Sequence, residues 1–157
     1  MKFAYFALAD ASNRGPDGKV NILGLGARIL AVPSLPTTVP LTLVGSVDAD
    51  VAEAGDYVLR ISLTEPDGSE EQVAEFAVAI PREVADPEVP TGFGFSLALL
   101  RPVRLEGIHV VRGTVGDLVA EYVYAVRVSP EPQGATGPGS DTERSSLPGT
   151  TGDAPHV

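Results

Sequence analysis

Large apolar residues recur at every second position along most of the chain, which is the spacing of β-strands rather than helices. The clearest alternation runs over residues 57–64, where the apolar positions are Tyr57, Leu59, Ile61 and Leu63. The turn sequence Pro66-Asp67-Gly68 follows, and a second alternating segment comes after it. This order predicts an antiparallel hairpin.

Eight segments of the chain have strand patterns, and no helical periodicity of useful length interrupts them. They are residues 3–9, 20–30, 41–49, 57–64, 70–80, 92–100, 107–115 and 118–128. Turn residues recur between them at the short spacing that is typical of a β-sandwich. We therefore predict an all-β fold for residues 1–128: an antiparallel β-sandwich of two sheets and about eight strands.

The first two segments differ from the others because they are apolar at nearly every position. A strand with one wet face alternates apolar and polar residues, so both faces of these two should be covered. We predict that residues 3–9 and 20–30 pair as an N-terminal hairpin. Either the rest of the domain covers this hairpin, or one apolar face binds a protein partner or a second copy.

The composition changes at residue 129. Residues 129–157 hold one leucine and no aromatic residue among many Pro, Gly, Ser and Thr. Such a segment buries too little apolar surface to offset the entropy lost on ordering. We predict a disordered C-terminal tail over 129–157.

Charge narrows the choice of partners. The net charge is −10 and the sequence has no basic stripe, which argues against nucleic acid and against an anionic membrane surface. No apolar run approaches the ~18 residues of a membrane span, so we expect a cytoplasmic protein. Arginine outnumbers lysine and Ala, Val, Gly and Pro are abundant, which suggests a GC-rich bacterial genome.

Groups for catalysis are scarce. The sequence has no cysteine and two histidines, His109 in a predicted strand and His156 in the tail. We interpret His109 as a strand residue whose ring is hydrogen-bonded within the fold. The segment from Gly24 to Ile29 lacks the third glycine of a dinucleotide-binding loop, and no helix follows it. We therefore expect no enzymatic activity and no cofactor, apart from a possible metal ion.

Acidic residues concentrate in some of the predicted loops. If each strand is antiparallel to the next, alternate loops share one end of the sandwich, and ten acids then lie there: Asp10, Asp17, Asp48, Asp50, Glu53, Asp56, Glu83, Asp86, Glu88 and Asp117. The opposite end is mixed in charge: Glu65, Asp67, Glu70, Glu71, Arg101, Arg104 and Glu106. Carboxylates in loops are typical Ca²⁺ ligands, so Asp48, Asp50, Glu53 and Asp56 are weak candidates for a calcium site. The alternative is a solvated acidic surface.

The opening residues carry a second pattern: Ala9-Asp10, a short polar loop, Gly18-Lys19, Asn21-Ile22 and Gly24, with Leu105-Glu106-Gly107 later. This resembles the N-terminus of a small bacterial all-β protein family of unknown function. The resemblance implies a β-sandwich and no known activity or catalytic residue.

Physically, Asp10 can cap the loop and Asn21 can tie it down. Gly24 and Gly26 mark a bulge or a close approach of the backbone.

Taken together, the sequence favours a non-catalytic binding or assembly module, with self-association or a protein partner at the N-terminal hairpin. The alternative is a calcium-dependent ligand-binding β-sandwich that uses the acidic loops at one end.

Overall fold

The computed structural model describes residues 1–16, 19–82 and 91–129, without the side chain of Arg14. The predicted all-β fold is confirmed, with ten strands: β1 (Lys2–Ala9), β2 (Ala11–Arg14), β3 (Val20–Leu23), β4 (Ile29–Val32), β5 (Thr37–Ala49), β6 (Gly55–Thr64), β7 (Glu70–Ile80), β8 (Thr91–Val103), β9 (Gly107–Val115) and β10 (Leu118–Val128). A short 3₁₀ turn, Val51–Glu53, joins β5 to β6. Apart from Ser129, the tail predicted over 129–157 lies outside the described residues.

The strands form two principal sheets. The smaller has the order β1-β5-β8 and is antiparallel throughout. The larger has the order β4-β10-β9-β6-β7, in which β4 alone runs parallel to its neighbour. Among the described residues, no helix is long and apolar enough to cross a membrane.

The core lies between these two sheets, where the inward-facing residues of β5, β6, β9 and β10 are almost fully buried. Phe6 of β1 reaches across from the smaller sheet to Gly113 of β9. A side-chain carbon at Gly113 would lie only 2.7 Å from Cε2 of Phe6. A glycine therefore makes room for the ring at the contact between the two sheets.

The predicted pairing of residues 3–9 with 20–30 is wrong. β1 pairs with β5 instead, with Phe3 opposite Val47 and Leu8 opposite Leu43. The run 20–30 is not one strand, because β3 ends at Leu23 and β4 begins at Ile29. β3 pairs with β2, whereas β4 joins the other sheet beside β10. The run is apolar at successive positions because the chain changes sheets within it.

The small β2–β3 hairpin lies against the outer face of the smaller sheet. Ser12 of β2 is hydrogen-bonded to Ser96 of β8 through their hydroxyl groups. Val44 of β5, whose neighbours Leu43 and Gly45 face the core, is fully buried on this outer face. The expectation that both faces are covered holds in the first run for residues 7–9, which are buried at successive positions. It is wrong for the run 20–30, in which Leu23, Leu25 and Ile29 are more than half exposed.

The segment from Pro33 to Pro40 contains three prolines, which would indicate a loop, but its last four residues belong to β5. β5 begins at Thr37 and includes Pro40, which lies opposite Leu100 of β8. The ladder to β1 extends only to Thr42, so β5 is an edge on that side before this residue. Sheets tolerate proline at such edges.

Candidate functional site

The residues of the N-terminal pattern hold the crossing between the two sheets. The Asp10 N–H donates to the Leu23 carbonyl at 3.0 Å, and the Gly26 N–H donates to the Leu8 carbonyl at 2.8 Å. Asn21 donates a side-chain hydrogen bond to Asn13 across the β2–β3 hairpin at 2.9 Å. Asn21 thus ties the hairpin as predicted. Lys19 accepts a backbone bond from Gly15 at 2.8 Å, and Gly18 lies outside the described residues.

Gly24 is a position in this pattern that requires glycine. Its φ is +66°, and a Cβ there would overlap the carboxyl group of Asp10. The predicted close approach at Gly24 is therefore confirmed.

Replacing Gly24 by Ala should lower the free energy of unfolding by about 2–4 kcal/mol, because a positive φ and an overlap with Asp10 act together. Gly68→Ala is the matched control, since Gly68 also has a positive φ (+85°) but nothing within 4 Å of its Cβ position. That control should cost only about 1–2 kcal/mol. Urea denaturation of both variants gives the comparison, and equal losses would contradict the packing of Asp10 on Gly24.

Beyond Gly24, the chain turns a corner that β10 secures. The Tyr122 hydroxyl donates to the Ala27 carbonyl at 3.0 Å. The Arg28 guanidinium lies over the Tyr122 ring, 4.7 Å from its centroid, and donates to the Val123 carbonyl at 3.4 Å. These contacts fix the position at which Ile29 enters the larger sheet.

Ten acidic residues were predicted at one end of the sandwich, here called the acidic end. Among the described residues, fewer of the ten lie there. Asp48, Asp50, Glu53 and Asp56 lie at the end where β5 finishes and β6 begins. Asp10 lies at the opposite end, because β1 runs antiparallel to β5 with Lys2 beside Asp48. That part of the prediction is wrong. Four of the ten predicted acids lie outside the described residues: Asp17, Glu83, Asp86 and Glu88.

Two carboxylates at the acidic end, those of Glu53 and Asp48, contact neighbouring polar or charged groups of the protein. Glu53 contacts the N-terminal amino group and accepts the Asp50 N–H at 2.9 Å. Hydrogen bonds from these two groups hold the pKa of the Glu53 carboxyl below its usual range. Lys2 lies 4.0 Å from the Asp48 carboxylate. In the described ranges, no three His, Asp or Glu side chains are grouped as a metal ion would require. The calcium site stays a prediction.

The opposite end of the sandwich holds a cleft of about 580 Å³ with mixed charge. Its walls carry the residues that the sequence placed at that end, except Glu106: Glu65, Asp67, Glu70, Glu71, Arg101 and Arg104. The Arg101 side chain is 13% exposed and lies 2.7 Å from Glu65, which is 14% exposed, and it also contacts Glu71. The Arg101 guanidinium thus contacts two carboxylates in this cleft.

Beneath this cleft, His109 and Tyr124 form a buried polar layer. Their rings stack with centroids 5.4 Å apart, and His109 Nε2 lies 3.0 Å from the Leu105 carbonyl. His109 is 4% exposed, which confirms it as a strand residue whose ring is hydrogen-bonded within the fold. Burial raises the pKa of Tyr124 to about 12; the charge of Arg101 lowers it and that of Glu65 raises it.

Tyr124 should remain protonated in the folded protein well above pH 10. Because its pKa is raised from 10.0 to about 12, its contribution to stability is complete below pH 10 and is lost as pH rises toward about 12. A titration of phenolate absorbance should therefore contain a late component from Tyr124. Tyr124→Phe should remove that component; if the late component survives in this variant, the assignment is wrong.

The outer face of the larger sheet carries exposed apolar side chains that strand register places side by side. Ile29 of β4 lies opposite Ala125 of β10, which lies opposite Ile108 of β9. Ile29 is 67% exposed and Ile108 is 52% exposed. In the next row, Val123 is 40% exposed and lies opposite Val110. These five residues define the apolar face.

Ion pairs surround the apolar face on the same side of the sheet. Arg112 lies 2.8 Å from Glu121 and 3.7 Å from Glu70. Arg60 lies 2.9 Å from Glu75. Arg127 lies 3.9 Å from Glu106. Each arginine of this face therefore has a glutamate partner on the same face.

The apolar face was not predicted from the sequence, although some of its residues stand out there as apolar residues at outward positions of a strand. On β9 the outward positions Ile108 and Val110 are as apolar as the inward ones, and on β10 Val123 and Ala125 repeat this. The pattern of a single strand does not show which other strands lie beside it, so the cluster across β4, β10 and β9 could not be predicted. Ile29, in contrast, belongs to the N-terminal apolar run for which an exposed binding face was considered.

Comparisons with known proteins agree with a domain of unassigned activity. No curated protein matches the chain significantly. A β-glucosidase from Listeria innocua is similar over 80% of this chain and 16% of its own, with 15% identity and a TM-score of 0.41. The alkylpurine DNA glycosylase AlkC from Pseudomonas fluorescens is similar over 80% of this chain and 30% of its own, with 11% identity and a TM-score of 0.41.

This chain thus spans less than a third of either structure, and likeness at this level carries no argument about function. The model of a family of unknown function (DUF6941) matches residues 4–115, which is most of the chain and includes β1 to β9. The predicted membership in a family of unknown function is confirmed, and the chain belongs to the family DUF6941.

Proposed function

We propose that this protein is a non-catalytic assembly module that binds another protein molecule through the apolar face of its larger sheet. The observation that carries the proposal is the row Ile29–Ala125–Ile108, whose two isoleucines are more than half exposed on the strands that flank β10 in one sheet. Exposed apolar side chains that cluster across strands are a common mark of protein interfaces. Isolated ones, such as Leu100 on β8, need no such explanation.

Two features make this face suitable for binding. It lies on hydrogen-bonded strands rather than on loops, so its shape is fixed before a partner arrives and little ordering entropy is lost. Its apolar centre is flanked by ion-paired arginine and glutamate residues, which resembles the apolar core and polar rim of protein interfaces. The polar groups of the cleft and of the buried layer are engaged with one another, which favours a structural role for them.

Site-specific photo-crosslinking tests the proposal in cells that contain the full chain. A photoreactive phenylalanine analogue at Val123 should give a discrete protein adduct, because Val123 lies within the apolar face. The same analogue at Leu100, which is 78% exposed on β8 of the other sheet, is the matched control and should not. Adding Ile108→Arg to the Val123 chain should abolish the adduct, while a cooperative thermal melt shows that the variant is still folded. No adduct at Val123, or an equal one at Leu100, would refute the proposal.

A further inference from the structure

We infer that the occupant of the apolar face is a second copy of this chain, which packs the same face against it around a two-fold axis. The inference rests on the proposed function and names its partner. A two-fold contact uses the same surface on both molecules, so the surface must be complementary to itself in shape and charge.

Charge is the first argument. The protein carries a net charge of −10, so most approaches of one copy to another meet repulsion. The outer face of the larger sheet is an exception, because its three arginines face four glutamates in ion pairs: Arg60, Arg112, Arg127, Glu70, Glu75, Glu106 and Glu121. Two such faces can meet with little net repulsion. A strongly basic or acidic partner would find little excess charge here to recognise.

The contrast with the acidic end strengthens this argument. Asp48, Asp50, Glu53 and Asp56 lie together there, and the structure describes two side-chain cations at that end, Lys2 and Arg82. Two copies meeting at that end would bring like charges together. Self-association through the acidic end is therefore disfavoured, in contrast to the outer face of the larger sheet.

The size of the face is the second argument. Four long strands at about 4.8 Å spacing and roughly 30 Å in length, with the four-residue β4 beside them, give the outer face of the larger sheet an area on the order of 600 Å². A stable interface of standard size buries about 800 Å² on each partner. This outer face packed on another copy can therefore supply most of the area that a stable dimer needs.

The apolar positions also suit a two-fold contact. The rows Ile29–Ala125–Ile108 and Val123–Val110 are adjacent, so they form one compact surface. A two-fold axis that runs parallel to these rows and between them places each row of one copy against the other row of its partner, with Ile108 facing Val110. The ion-paired rows then surround this contact on both sides.

Sedimentation velocity on the purified full chain, from low to high micromolar concentration, tests the inference. We expect a species of twice the 16.3 kDa chain mass that persists in high salt, because the contact is apolar and its charges are already paired. Ile108→Arg should weaken the dimer by about a hundredfold or more, since it places a charge in the centre of the contact. Leu100→Arg, an equally drastic change on the other sheet, should leave it unchanged.

The outcomes separate the inference from the proposed function. A chain that stays monomeric, while the Val123 crosslink joins it to a different protein, would overturn the second copy and leave the assembly function intact. A monomer without any such crosslink would overturn both. A dimer that survives Ile108→Arg but is lost with Leu100→Arg would place the interface on the other sheet and would also overturn the inference.

Discussion

Replacing Arg101 by methionine should lower the free energy of unfolding by about 3 kcal/mol, because it leaves the Glu65 carboxylate nearly buried without its partner. Arg101 is 13% exposed and lies 2.7 Å from Glu65, which is 14% exposed. Removing one member of such a pair costs more than the pair contributes, since the remaining charge is neither solvated nor compensated.

The double variant Arg101→Met with Glu65→Gln should recover most of this loss, because the nearly buried charge is then removed and the carboxylate left behind, that of Glu71, is 62% exposed. Arg104→Met is the control on the rim of the same cleft, where the side chain is exposed, and it should change stability by less than about 0.5 kcal/mol. Urea denaturation of the parent, both single variants Arg101→Met and Glu65→Gln, the double variant and the Arg104→Met control gives the comparison. If Arg101→Met is as stable as the parent, the pair of Arg101 and Glu65 is effectively solvated and the predicted loss is refuted.

Replacing Gly113 by valine should also cost about 3 kcal/mol, because the new side chain must displace the Phe6 ring from the contact between the two sheets. A Cβ at this position already approaches Phe6 Cε2 to 2.7 Å, and valine adds two further methyl groups. Overpacking of a closed core usually costs about 1–3 kcal/mol, and here both sheets must shift to relieve it.

Gly94→Val is the matched control, since the Cβ position of Gly94 has its nearest neighbour at 3.8 Å. Because valine favours strands, this control should be neutral or slightly stabilising. Thermal melts of both variants give the comparison, and Phe6→Leu in the Gly113→Val chain should restore part of the stability. If Gly113→Val melts like Gly94→Val, Phe6 does not pack on Gly113.

Much of the fold was predictable from local patterns. The hairpins β6–β7 and β9–β10 follow directly from alternation around the turns at Gly68 and Gly116. The N-terminal region was not predictable in this way, because apolar residues on both faces indicate burial without identifying the neighbour. The register Leu8–Leu43 joins residues far apart in sequence, and strand propensity carries no information about such pairs.

The candidate interface shows the same division. The exposed N-terminal run supplied Ile29, but Ile108 and Val123 join it only because β4 inserts beside β10. That insertion is parallel and depends on the corner held by Tyr122 and Arg28. The mixed-charge end was predicted from loop order, whereas the assignment of Asp10 to the acidic end failed because β1 pairs with β5.

Side-chain footprinting of the full chain with hydroxyl radicals, at low and at high concentration, tests most directly the claim that the apolar face is the contact surface. We predict that labelling of Ile29, Ile108 and Val123 falls together as concentration rises. Labelling of Leu100, on the other sheet, should stay constant and serves as the internal reference. If the labelling of each of the four side chains is the same at both concentrations, or if Leu100 alone becomes protected, the apolar face is not the contact surface.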